Sequence, residues 1–217
     1  MTDLDQRPGP ATPTAAAARA DRVLLARRLL AEGLGTAMLV AIVVGSGIYA
    51  AELSTDPGPQ LLESSIATGA GLMALILAFG PVSGAHFNPV VTLADRMLGG
   101  ISTRDALAYI AAQILDGCLG TVAANVMFGL DAIELSTHAR SSGALWFSEV
   151  IATMGLLLVI LGVVRSGKAH MAPFAVGAYI AAAYWFTSST SFANPGTALR
   201  FPDRLGRVPG RRDGHGP

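Results

Sequence analysis

The sequence predicts an all-α integral membrane protein, built as an inverted repeat of transmembrane helices with two re-entrant half-helices. Three observations carry that prediction. Long apolar runs recur at 29–51, 62–80, 105–129, 143–164 and 171–187, on the scale of the ~20 residues that cross a ~30 Å hydrocarbon core. An Asn-Pro pair follows an apolar run twice, as Asn88-Pro89 and as Asn194-Pro195. An acid with a threonine four residues on opens each half, as Glu32 with Thr36 and as Glu149 with Thr153.

Ser83-Gly84-Ala85-His86-Phe87-Asn88-Pro89-Val90-Val91-Thr92 is polar within an apolar setting. Pro81 and Gly84 are expected to end the run before it, and Asn88-Pro89 reads as a helix start, with Asn at the N-cap and Pro in the first turn. A helix beginning inside a membrane points its free N–H groups and positive dipole end at what lies in front of it. Irregular backbone at that depth is tolerated only within protein or along a water-filled cavity. An ordinary loop between two spans is the alternative reading. The second Asn-Pro pair favours half-helices, since one per repeat marks a site at the midplane of an inverted repeat.

Composition narrows the class. A mean hydropathy of +0.50 with 14% charged residues fits one membrane domain. Fifteen basic and fifteen acidic residues cancel, so a nucleic-acid partner has no electrostatic support. The single cysteine, Cys118, excludes an intrachain disulfide and a cysteine-rich metal site.

In chain order, residues 1–28 read as a disordered cytoplasmic tail rich in Ala, Pro, Thr and Arg. The rival readings are a secretory signal, whose apolar core would be shorter, and a weak twin-arginine match at Arg27-Arg28. The membrane domain follows over 29–199, as a first repeat over 29–129 and a second over 143–199. The first half-helix is expected at 88–98. An odd number of spans per repeat inverts the second copy and brings the two half-helices in from opposite sides. Arg27, Arg28, Arg96, Arg104, Arg165 and Lys168 fall on one side and only Arg140 on the other, which places the N-terminus in the cytoplasm of a multi-pass cell-membrane protein.

These residues resemble the signatures of the major intrinsic proteins, the aquaporins and glycerol facilitators. The match at 83–92 is long; that at Asn194-Pro195 is short; together the resemblance runs over roughly residues 28–199. It implies a passive channel for water or a small uncharged solute, such as glycerol or a metalloid hydroxide, in a homotetramer with one pore per subunit. It implies that Asn88 and Asn194 form the central constriction, with Pro89, Val90, Pro195 and Gly196 beside them; Val90 and Gly196 replace the family's usual alanines. Counting from the Asn-Pro pairs carries the outer selectivity filter onto Thr68, Ala182, Ser191 and Thr197. None of these is the arginine, histidine or aromatic of water-selective members, which implies a wider pore.

Conduction of a neutral solute requires a narrow path that replaces water's hydrogen bonds and repels ions. As N-caps, the two asparagines accept from helix N–H groups and turn their amides to the channel, and paired positive helix ends oppose cations. His86 either lines the pore or ties its loop down; the resemblance implies the structural role. Glu32 and Glu149 are ionisable groups inside spans and so are functional candidates. Their symmetric placement favours support of the re-entrant loops, which the resemblance also implies, over a proton relay. Asp116 stands in the third span with no evident partner. No histidine pair has metal-ligand spacing, and neither a cofactor loop nor a nucleophile–base pair appears, so no metal, cofactor or enzyme activity is expected.

After Leu199 the family pattern stops. Residues 200–217 contain five arginines, three prolines and four glycines, an aberrant polar tail with the sixth span missing. A shifted frame or truncation is the expected cause, and a natural five-span variant is the alternative. Two rival functions follow: a non-conducting remnant of the channel, and an ion-coupled secondary transporter using Glu32, Asp116 and Glu149.

Overall fold

The computed structural model describes residues 15–132 and 143–188. Its elements are α1 (Ala15–Leu53), α2 (Pro57–Ser83), α3 (Pro89–Met97), α4 (Thr103–Met127), α5 (Gly143–Arg165), a 3-10 turn (Ala169–Met171) and α6 (Ala172–Phe186). Among the described residues four helices, α1, α2, α4 and α5, are long and apolar enough to cross a membrane. The second Asn-Pro pair, the loop at 133–142 and the tail at 200–217 lie outside the described residues.

Helix limits follow local chemistry, and three differ from the sequence expectation. α1 starts at Ala15 rather than near residue 29, so residues 15–28 are helix and not disordered tail. The stretch from Ala15 to Glu32 has no Gly or Pro and is rich in Ala, Leu and Arg, the strongest helix formers. At 39 residues the helix is ~58 Å long, nearly twice the hydrocarbon thickness. α2 starts five residues early because Asp56 caps it, its carboxylate accepting from Gly58 N at 2.9 Å, with Pro57 in the first turn. α2 also continues through Pro81; Gly84 ends it instead, at φ 91° with its N–H on the Gly80 carbonyl. α6 has 15 residues, or ~22 Å, short of a full crossing.

Small residues set the helix crossings. A Cβ on Gly120 of α4 would overlap the Ala37 carbonyl oxygen of α1, so these backbones touch. On the other side of the fold, a Cβ on Gly69 of α2 would sit 2.9 Å from the Gly177 oxygen of α6, and one on Gly177 would sit 2.6 Å from the Gly69 oxygen. Such close approach is how membrane helices gain contact where water provides no drive. α1 thus packs between α2 and α4, α2 packs on α6, and α6 on α5. Leu39, Leu72, Leu75, Phe87, Leu156 and Ile180 meet in the main buried cluster. Leu30, Leu107, Leu115, Trp146, Phe147 and Leu158 point outward, as lipid solvent permits.

Candidate functional site

The re-entrant segment between α2 and α3 is built from left-handed backbone. Gly84, Ala85 and Phe87 have φ of 91°, 51° and 48°, and for the last two this conformation is costly without support. Support comes from Glu32, which is wholly buried on α1. Its Oε1 accepts from Ser83 Oγ at 2.6 Å and His86 N at 2.9 Å, and its Oε2 from Phe87 N at 2.8 Å and Gln113 Nε2 at 2.9 Å. One carboxylate therefore satisfies two backbone donors that the turn would leave bare. The Phe87 ring occupies the space a side chain on Gly35 would need, edge-on to Phe79 at 6.1 Å.

A second set of contacts holds the segment from the α4 side. Tyr109 is fully buried and donates to the Ser83 carbonyl at 3.0 Å. Arg28 Nε donates to the Tyr109 hydroxyl at 2.7 Å, its guanidinium lies 5.2 Å from the centre of that ring, and its Nη1 is 3.5 Å from Asp105 Oδ2. His86 Nδ1 meets Thr92 Oγ1 at 3.1 Å, and its Nε2 lies 3.7 Å from Asp95 Oδ2. The His86 ring thus contacts two residues of α3.

With the loop fixed, Asn88 starts α3 as expected. Its backbone is extended and its Oδ1 accepts from Val90 N at 2.8 Å. Asn88 is buried and lines an open cavity of about 880 Å³ between α1, α2, α3, α5 and α6. Along α2 the wall is Gln60, Ser64 and Thr68, then Leu72 and Ile76, one side chain per helical turn. Leu156, Ile160, Val176 and Ile180 face it. His86, Asp95 and His170 lie along the end nearest α3.

Two of the expected site positions stand off the cavity wall formed by the described residues. Ala182 is exposed and does not line the cavity. The α6 residues that do are Val176, Ile180 and Tyr184; Ala182 stands two residues from both of the last, ~200° around the helix. Tyr184 takes the place opposite α2, its hydroxyl 2.9 Å from that of buried Thr68. On α3 the wall residue is Val91, whereas Val90 contributes its capped N–H.

Other positions stand apart. Glu149 is half-buried on α5, and the segment it was expected to brace lies outside the described residues, as do Ser191, Asn194, Pro195, Gly196 and Thr197. Asp116 is half-buried on α4, its carboxylate filling the space over Gly33 of α1. Sequence reading missed Tyr184, Tyr109, Arg28 and Gln113. Only Tyr184 left a signal, being four residues after Ile180 and eight after Val176.

A multi-pass, all-helical membrane protein with a re-entrant half-helix opening on a central cavity is the class these features define. The Major intrinsic protein family profile matches residues 19–200, and the chain belongs to that family. It is 48% identical over 175 residues to the aquaglyceroporin AqpS of Rhizobium meliloti (strain 1021), covering 81% of this chain and 75% of that one. It is 32% identical over 186 residues to aquaporin NIP1-2 of Arabidopsis thaliana, covering 80% of this chain and 63% of that one. The X-ray structure of the aquaglyceroporin from Plasmodium falciparum superposes with a TM-score of 0.61 at 26% identity, covering 80% of this chain and 76% of that one.

Proposed function

We propose that this protein is a passive channel for water and small uncharged solutes, glycerol among them, and not an enzyme. The observation that carries the reading is the cavity that runs along α2 and reaches Asn88 at the start of α3. Ser64, Thr68, Tyr184 and Asn88 offer hydrogen bonds along one course, while Leu156, Ile160, Val176 and Ile180 present an apolar wall. A polyol has both kinds of surface and exchanges its water for them at little cost. The ionisable side chains on the wall other than Tyr184 are His86, Asp95 and His170, all towards one end. Asn88 is the constriction residue on this half, and Thr68 with Tyr184 forms the outer filter. Asn194, with Pro195 and Gly196, is the counterpart constriction, and Ser191 and Thr197 complete the filter. Glu149 braces the second re-entrant segment as Glu32 braces the first.

The protein sits in the cell membrane with its N-terminus in the cytoplasm, on the side of Arg28, Arg96 and Arg104, and assembles as a homotetramer. The positive-inside bias supports the orientation; family membership supports the assembly.

Stopped-flow light scattering on reconstituted vesicles tests the reading. Glycerol flux is expected to exceed that of protein-free vesicles, to rise linearly with the gradient and to ignore proton and sodium gradients. Tyr184→Phe is expected to slow glycerol by about five- to tenfold, the barrier equivalent of a hydrogen bond of ~1 kcal/mol. Saturable, gradient-coupled flux would make the chain a transporter, and no flux at all would make it a non-conducting remnant.

A further inference from the structure

Gln113 lies at the middle of α4 with no surface exposed. Its Nε2 donates twice, to Glu32 Oε2 at 2.9 Å and to Thr92 Oγ1 at 2.9 Å. The Thr92 hydroxyl in turn lies 3.1 Å from the Asn88 carbonyl, which also accepts the Thr92 N–H at 3.0 Å, and 3.1 Å from His86 Nδ1. Gln113 Oε1 has no hydrogen-bond partner among the described residues. The orientation of the amide is therefore dictated by its neighbours. A carboxylate oxygen only accepts, so the NH2 end has to face Glu32, and the Thr92 hydroxyl accepts from the same nitrogen while its own proton goes to the Asn88 carbonyl or to His86 Nδ1. The oxygen is left without a donor, a cost that buried polar groups rarely carry.

A leucine at this position would bury the same volume without an orphaned oxygen. A lysine would supply the donors but add a charge beside Glu32. A side chain that presents two donors from one planar, neutral group is what the junction of these two acceptors needs. We propose that Gln113 is a positioning residue for the constriction, its single amide nitrogen tying the carboxylate that straps the re-entrant loop to the hydroxyl that holds the Asn88 backbone. The proposal rests on reading Asn88 as part of the conducting path. α4 does not itself line the cavity, so through Gln113 the outer helix fixes how far the half-helix reaches into it.

Two variants of the full chain separate this role from general packing. Gln113→Leu removes both arms. Thr92→Val removes the hydroxyl's contacts with Gln113, the Asn88 carbonyl and His86 Nδ1, and keeps the Gln113–Glu32 bond. Two readouts apply to each: hydrogen exchange over residues 83–92, and the stopped-flow permeabilities of glycerol and water at equal reconstituted protein. Gln113→Leu is expected to speed exchange at the His86 and Phe87 amides and to lower glycerol permeability about tenfold, with a changed glycerol-to-water ratio. Thr92→Val is expected to reproduce the flux change with wild-type exchange at those two amides, which bond to Glu32.

Wild-type exchange and wild-type flux in Gln113→Leu would overturn the proposal. So would lowered flux in Gln113→Leu with unchanged flux in Thr92→Val, since the amide would then serve Glu32 alone. If wild-type vesicles show no flux above protein-free vesicles, the channel reading fails. The exchange comparison then still decides whether Gln113 holds the loop.

Discussion

Replacing Glu32 with alanine is expected to cost about 4 kcal/mol and to abolish flux. The carboxylate is the acceptor for His86 N and Phe87 N as well as for Ser83 and Gln113. Without it two backbone donors are buried with nothing to bond, at ~1–3 kcal/mol each. The segment they belong to holds Ala85 and Phe87 at positive φ, a conformation worth keeping only while those bonds exist. The segment should relax, withdrawing Asn88 from the cavity. Glu32→Gln keeps the shape but turns an NH2 towards one of the donors, and its loss should be about half as large. Thermal unfolding in detergent checks both. Using the scale of soluble proteins of this size, Glu32→Ala should lower the midpoint by roughly 8–16 °C, and a midpoint within a degree of wild type would remove Glu32 from its structural role.

The second large effect is expected at the α1–α4 crossing. Gly120→Ala improves helix propensity by ~1 kcal/mol, yet its Cβ would overlap the Ala37 carbonyl oxygen and lie 2.9 Å from the Ala37 carbonyl carbon. Backbone atoms cannot rotate aside, so the helices must separate and lose contact along their length. The net change should be destabilising by about 1–3 kcal/mol, and Gly120→Val should be worse. Gly162→Ala is the control: nothing lies within 4 Å of a Cβ there, so propensity alone should act and stability should hold or rise by ~0.5–1 kcal/mol. Measured midpoints for the two alanine variants should therefore move in opposite directions. Equal behaviour would mean the crossing is looser than its geometry.

The difference between what the sequence revealed and what it hid follows from the range of each interaction. Asn88-Pro89 is a local signal, a cap and a ring in consecutive residues, and α3 starts where it says. Glu32 was legible because an ionisable group within an apolar run is itself an anomaly, though its four partners were not. Gln113 lies 81 residues from Glu32 and Arg28 lies 81 from Tyr109, and an amide or a tyrosine in a helix carries no mark of a distant partner. The limits of α1 and α2 were missed for a different reason. Hydropathy locates the part of a helix that suits lipid, but Ala, Leu and Arg before residue 29 and the Asp56 cap extend helices beyond it. Ala182 rests on counting along the chain, whereas the α6 residues on the cavity wall, Val176, Ile180 and Tyr184, follow from the packing of α6 on its neighbours.

The proposed solute path is the cavity bounded by α2, α5 and α6. The most direct measurement is glycerol permeability of vesicles carrying Thr68→Trp beside vesicles carrying Leu34→Trp. Thr68 is buried on the cavity wall next to Tyr184, and an indole there fills the passage. Leu34 is 47% exposed on the outer face of α1, where an indole meets lipid. The predicted result is flux reduced to the protein-free level by Thr68→Trp and unchanged by Leu34→Trp, with both proteins folded. Undiminished flux through folded Thr68→Trp would place the path elsewhere in the protein.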